Sequence, residues 1–176
     1  MKNILLLLLI SPIICLSQVD DSNFIVENGE LKWQKVYETS KTIDELFISL
    51  KTKKELSSVE MIGNVILGDI VGVTVDRKAA GLKSGNTAVY TGMDVYGSLK
   101  IEFKDNRYRA TIFNIRLAMP NYLEALGNRN DLESLSTYAL KRGGITQRFI
   151  DREGVAYDYT FNRIVEDKDT SKDDNW

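Results

Sequence analysis

The residues whose types and spacing could do chemistry gather between positions 100 and 116, where Arg107, Arg109 and Arg116 join Lys100 and Lys104 around Tyr108. Guanidinium groups on a strand can hold an anionic ligand through bidentate contacts. Arg107, Tyr108, Arg109 and Arg116 are therefore the candidate anion- or partner-binding residues. The competing reading, which the sequence favours, is that these charges protect a strand and pair across it with Glu102. A second candidate, Asp167-Lys-Asp-Thr-Ser-Lys-Asp173, alternates oxygen side chains like the start of a calcium loop. Lys172, however, stands where the tight-turn glycine belongs, and no twelfth-position glutamate follows. It reads as a solvated tail. Arg77-Lys-Ala-Ala-Gly-Leu-Lys-Ser-Gly-Asn86 mixes Gly, Ser and Lys but lacks phosphate-loop spacing, so it reads as an ordinary loop. Trp33, Tyr37, Tyr90 and Tyr96 fit core or cross-strand packing as well as a stacking platform.

What is missing narrows the chemistry further. There is no histidine, and the one cysteine, Cys15, lies in the amino-terminal apolar run. That run, Met1-Lys-Asn-Ile-Leu-Leu-Leu-Leu-Leu-Ile10, has a lysine before it, is too short to span a bilayer and breaks at Ser11-Pro12. It reads as a signal peptide over residues 1–17, cleaved after Ser17 to leave Gln18 first. A lipid-anchored Cys15 is the alternative, although Ile13 and Ile14 replace the small residue that a lipobox needs before its cysteine. A mature chain without Cys or His cannot build a Cys or His zinc site, a Cys–His or Ser–His–Asp machine, or a histidine pH switch. Hard-cation or paired-carboxylate chemistry stays open. The formal charge of −2 suggests neither nucleic acid nor an anionic membrane surface as partner.

The elements that would position these residues follow from periodicity. Asn28-Gly29 sits between β-prone runs and predicts a hairpin pairing Val26 with Leu31 and Phe24 with Trp33. Thr42-Ile-Asp-Glu45 is a capping box, followed by an Ile43, Leu46, Phe47, Leu50 stripe. Val59 to Val75 reads as strands turning at Leu67-Gly68-Asp69, with Gly63 and Gly72 as bulges. Strands over 95–104 and 107–117 meet at Asp105-Asn106. A three-residue loop with Arg107 in the left-handed conformation would place Leu99, Ile101, Phe103, Phe113, Ile115 and Leu117 on one buried side; a two-residue turn would leave both faces apolar. The first register is the expectation, with a monomer, one polar sheet face, and Phe113→Lys unable to fold. Pro120 should close the strand. Asn130-Asp-Leu-Glu133 predicts a helix through Leu140 that Gly143-Gly144 stops. Residues 149–164 alternate like a strand yet also form one helical face, and helix is the expectation despite Gly154. The charged end, 166–176, should be disordered.

The whole is an α+β arrangement, an antiparallel sheet with helices packed on one face, in a single domain over residues 18–165. Phe24-Ile-Val-Glu-Asn-Gly29, Thr42-Ile-Asp-Glu-Leu-Phe47, Phe103-Lys-Asp-Asn-Arg-Tyr-Arg109 and Asp158-Tyr-Thr-Phe161, behind a secretion signal, resemble secreted domains of unknown function, mainly from Bacteroidetes, with a TATA-binding-protein-like (TBP-like) fold. The resemblance runs from Phe24 to Val165. Asn106 replaces the glycine usual at the hairpin turn of these domains, and no catalytic residue maps from them. It implies a fold and not DNA binding. The functional expectation is an exported, periplasmic or extracellular, non-catalytic module without cofactor or metal, binding an unknown protein or small ligand and not spanning a membrane. The alternatives are a carboxylate-dependent envelope hydrolase and a lipid-anchored envelope structural protein.

Overall fold

In the computed structural model, residues 22–83, 87–118 and 132–166 are described. The signal segment with Cys15, Pro120, the Asn130 cap and the calcium-like run from Asp167 lie outside them. Asn28 and Gly29 both take positive φ, 53° and 78°, the two-residue turn whose twist matches its strands. It joins β1 (Phe24–Glu27) to β2 (Glu30–Glu38) and pairs Val26 with Leu31 and Phe24 with Trp33, as expected. The Thr42 hydroxyl then accepts from the Glu45 amide while the Glu45 carboxylate accepts from the Thr42 amide, opening α1 (Ile43–Lys51). Leu46 and Leu50 of its stripe are fully buried.

The next hairpin departs from expectation. Strands β3 (Leu56–Ile62) and β4 (Val65–Thr74) turn at Gly63-Asn64, with Gly63 at φ 59°. Gly68, the expected turn, lies mid-strand. There the Val59 side chain comes so close that a Cβ on Gly68 would sit 3.3 Å from it, so Gly68 serves packing rather than turning. Val59 and Ser58, whose φ is 51°, form the bulge opposite it. Gly72 does mark a bulge, against β5.

The long hairpin corrects the register. Strands β5 (Asp94–Lys104) and β6 (Arg107–Ala118) are joined by a two-residue turn, with Asp105 at φ 49° and Asn106 at 58°. Asp and Asn tolerate that conformation better than Arg107 would. Phe103 therefore faces Tyr108, and Leu99 faces Ile112. The sheet nevertheless keeps one apolar side, because the extra residue sits elsewhere: Asn114, at φ 51°, and Ile115 together oppose Gly97. This bulge resets the alternation, so Tyr108, Ala110 and Ile112 before it and Ile115 and Leu117 after it all point into the core. Phe113 alone is left on the far side, half-buried. A lysine there would reach solvent, so the register on which Phe113→Lys would abolish folding is not the one the protein adopts.

Beyond residue 131 the expected helix through Leu140 is also replaced. Strand β7 (Glu133–Ser134) pairs with β6 at Arg116 and Leu117, α2 is the single turn Ser136–Ala139, and β8 (Leu140–Lys141) and β9 (Gly144–Ile145) form a small hairpin. Arg142-Gly143 is its turn, both at positive φ. The final segment is helical, as expected: a π-helical turn, Phe149–Glu153, runs into α3 (Gly154–Val165). Glu166 is not part of a loose tail, since its carbonyl accepts from Lys53 Nζ at 2.8 Å.

The result is an α+β fold in which β1, β2, β6, β5, β4 and β3 form one antiparallel sheet in that order, with β7 added to β6. Side chains of α1 and α3 join the inner face of the sheet in one hydrophobic cluster around Trp33, Phe161, Tyr157 and Phe149. Gly154 is required where it stands. A Cβ there would lie 2.7 Å from the Phe149 carbonyl oxygen, which the π-turn turns toward it. Gly154→Ala should therefore lower stability by about 1–3 kcal/mol despite alanine's helix propensity. The expected thermal midpoint falls by roughly 2–12 °C, and an unchanged or raised midpoint in calorimetry would refute the packing argument.

Candidate functional site

Alternation along the strands sorts the candidate residues onto different surfaces. Tyr108 points inward, 2% exposed, with its ring stacked on Tyr37 at 4.9 Å and its hydroxyl donating to the Val165 carbonyl at 3.1 Å. It is a core residue. Arg109 points outward, and its Nη2 lies 2.7 Å from Glu102 Oε2, whose other oxygen receives Lys100 Nζ at 3.0 Å. Arg107 stands at the hairpin tip beside Glu38. Arg116 lies beyond the bulge, its Nε donating to Asn114 at 2.9 Å. The structure thus separates the four, and the cross-strand pairing with Glu102 is what it shows of the basic streak. Trp33 is core, and Tyr37, Tyr90 and Tyr96 are partly buried.

What the topology does assemble is the uncovered face of the sheet. Cross-strand register places Asp69, Ser98 and Phe113 in one row; Glu60, Leu67, Lys100 and Thr111 in the next; and Ile62, Val65, Glu102, Arg109 and Val36 in the third. The Lys100–Glu102–Arg109 triad bridges the second and third rows, and Gln34 donates to Thr111 at 3.1 Å beside it. Over the first two rows lies a groove of about 500 Å³, with Val59, Leu67 and Phe113 as apolar lining and Glu60, Asp69, Ser58 and Ser98 as polar lining. The bulge at Ser58-Val59 opens it. Sequence reasoning missed Leu67 and Asp69 because it placed a turn on them, and it assigned Phe113 to the core. Gly63-Asn64 between Met61-Ile62 and Val65-Ile66 was the signal that would have recovered the first two.

The covered face holds polar groups too, but they are spent on structure. Asp158 Oδ1 accepts from Trp33 Nε1 and Asn23 Nδ2, each at 2.7 Å, and Oδ2 accepts from Asn162 Nδ2 at 3.0 Å. Asn162 Oδ1 in turn accepts from Lys35 Nζ and the Tyr37 hydroxyl, each at 2.7 Å. Elsewhere Tyr90 stacks on Tyr138 at 4.5 Å; burial pushes the Tyr90 hydroxyl up to about 12, and the hydrogen bond to Glu133 does the same for Tyr138. Both stay protonated at neutral pH, and Tyr138 donates to Glu133. Among the described residues no group of three acidic, histidine or cysteine side chains is placed to hold a metal, and no helix is long and apolar enough to cross a membrane.

No protein-family profile matches this chain, and no curated protein does. Two solved structures are similar to it. One is a TBP-like protein from Parabacteroides distasonis, 14% identical, with a TM-score of 0.49, over 80% of this chain and 93% of that one. The other is a DUF4468 family protein from Bacteroides ovatus, 10% identical, with a TM-score of 0.47, over 84% of this chain and 93% of that one. Both descriptions match the resemblance read from the sequence.

Two measurements check the electrostatics. Asp158→Asn puts an amide donor against the donors that the carboxylate now accepts, so it should destabilise by about 1–3 kcal/mol; a urea midpoint equal to wild type would contradict the bonded arrangement. Hydrogen bonds from Lys100 and then Arg109 hold the Glu102 carboxyl below its ordinary value of 4.5. The unfolded chain therefore takes up this proton first as pH falls. The contribution of the triad is complete above about pH 4.5 and fades as pH drops through the lower folded-state value. It is small, because the pair is solvent-exposed. Glu102→Gln should flatten the acid limb of the stability profile between pH 3 and 5 and leave its shape near pH 7 alone.

Proposed function

We propose that this is an exported, non-catalytic domain that binds a partner through the open face of its sheet. One observation carries the reading: among the described residues the helices lie on one face, and the other presents the half-buried Phe113, Leu67 and Val65 and the exposed Val36 and Ile62 around a charged triad that is already internally paired. Solvent-reached apolar side chains next to a satisfied polar centre suit a docking surface better than a reaction site. The formal charge of −2 supports a protein or small-ligand partner over nucleic acid. Export rests on the apolar run of residues 1–17, and a monomer on the mixed polarity of the open face.

A second reading, carboxylate-dependent hydrolysis, draws on Glu60 and Asp69 lining one groove. Both side chains are exposed, so nothing excludes water from them or orders a bond between them, and the binding reading is preferred. Its test is affinity capture from bacterial envelope with the secreted protein as bait, beside Phe113→Lys and Leu67→Lys baits verified as folded by circular dichroism. Partners retained by wild type and lost by both variants are expected, with an intact mass that begins at Gln18. Capture unchanged by both lysines would overturn the docking face, and a mass carrying acyl chains on Cys15 would replace free export with anchoring.

A further inference from the structure

The groove has a charge as well as a shape. Among the described residues Glu60 and Asp69 are its charged lining, no cation lines it, and neither makes an ion pair. Asp69 has only a long contact from the Ser98 hydroxyl, 3.4 Å. The nearest lysine in the register, Lys100 opposite Leu67, is drawn to Glu102 instead. Two carboxylates without a partner cation among the described residues thus stand at the edge of an apolar surface formed by Leu67 and Phe113.

That combination fits one kind of group. An alkylammonium lays a methylene stem on apolar surface and carries its charge at the tip, and the face of an aromatic ring such as Phe113 attracts the same cation. An anion would meet Glu60 and Asp69 unshielded, and a neutral apolar group would leave them unpaired. The groove is also open along the sheet rather than closed around a small molecule, so the stem belongs to a chain that can lie across the face. We infer that the groove takes the lysine side chain of a basic peptide segment of a partner protein, with Glu60 and Asp69 receiving the ammonium and Leu67 and Phe113 the stem. This rests on the open face being the docking surface.

The test uses fluorescence anisotropy of the mature protein with two labelled peptides, one alternating Leu and Lys and the other alternating Leu and Glu. The lysine peptide should bind and the glutamate peptide should not. Asp69→Asn and Glu60→Gln, conservative on exposed positions, should each weaken the lysine peptide by about 1.4-fold to 5-fold, the range of single solvent-exposed ion pairs, and high salt should weaken it too. Equal binding of the two peptides, no binding of either, or indifference to both amide variants would overturn the inference. So would saturation by cadaverine with no binding of the peptide, which would make the ligand a free amine. If the amide variants change nothing while Phe113→Lys still abolishes envelope capture, the lysine assignment fails and the docking face stands. If capture survives Phe113→Lys but the peptide effects hold, the failure lies with the docking face.

Discussion

The hydrogen bonds that Asp158 accepts hold the two layers of this domain in register. Burying part of a carboxylate against a helix costs free energy unless donors replace its water. Here they come from both layers: the Trp33 indole and the Asn23 amide from the strand side and Asn162 from the same helix. Charge-assisted bonds of this kind are worth about 1.5–3 kcal/mol each. They fix the rotation of α3 over β2, and that rotation sets Phe161 edge-on to Trp33 at 5.8 Å and Phe24 edge-on to Phe149 at 5.1 Å. Lys35 and Tyr37 extend the same network along β2 through Asn162. A polar clamp so fully bonded leaves no group free to meet a ligand, which is why the covered face is read as structural.

Glu153 shows the opposite condition. It is fully buried, with Oε1 3.4 Å from the Ala88 amide and 3.6 Å from Arg148, while Oε2 has no hydrogen-bond partner among the described residues. It belongs to the π-turn that also forces glycine at 154, so one short segment carries both the tight backbone contact and the under-bonded carboxylate where the chain enters its last helix. The apolar contacts of Phe149, Tyr157 and Phe161 on either side hold it there.

The functional surface depends on a backbone irregularity. Had β5 and β6 paired without interruption from the two-residue turn, Phe113 would share a face with Ile115 and Leu117 and the sheet would be apolar on both sides. The extra residue at Asn114-Ile115 inverts everything after it. Gly97 lies opposite, where a Cβ would come within 3.2 Å of the Phe113 carbonyl, so the bulge needs a glycine across from it. The bulge at Ser58-Val59 does for β3 what this one does for β6, and the groove lies between the two.

Local chemistry alone determined a good part of this protein. Asn28-Gly29 set its hairpin and register through the two positive φ angles that such a turn demands, and Thr42 and Glu45 set the start of α1, because each satisfies backbone groups a few residues away. The α+β class and the helicity of 154–165 followed from periodicity. Of the candidate site, the pairing of Glu102 with the basic streak was legible from strand spacing, while the inward turn of Tyr108 was not. Positions that depend on distant partners were decided only by the tertiary structure. Gly68 is glycine because Val59 packs on it, the segment after residue 131 gave up its helical stripe to pair with β6, and Ile115 and Leu117 face inward while Phe113 faces outward because a bulge between them flipped the strand. A side chain's face depends on every residue inserted before it in the ladder, and one insertion, invisible to alternation counts, reverses all that follow.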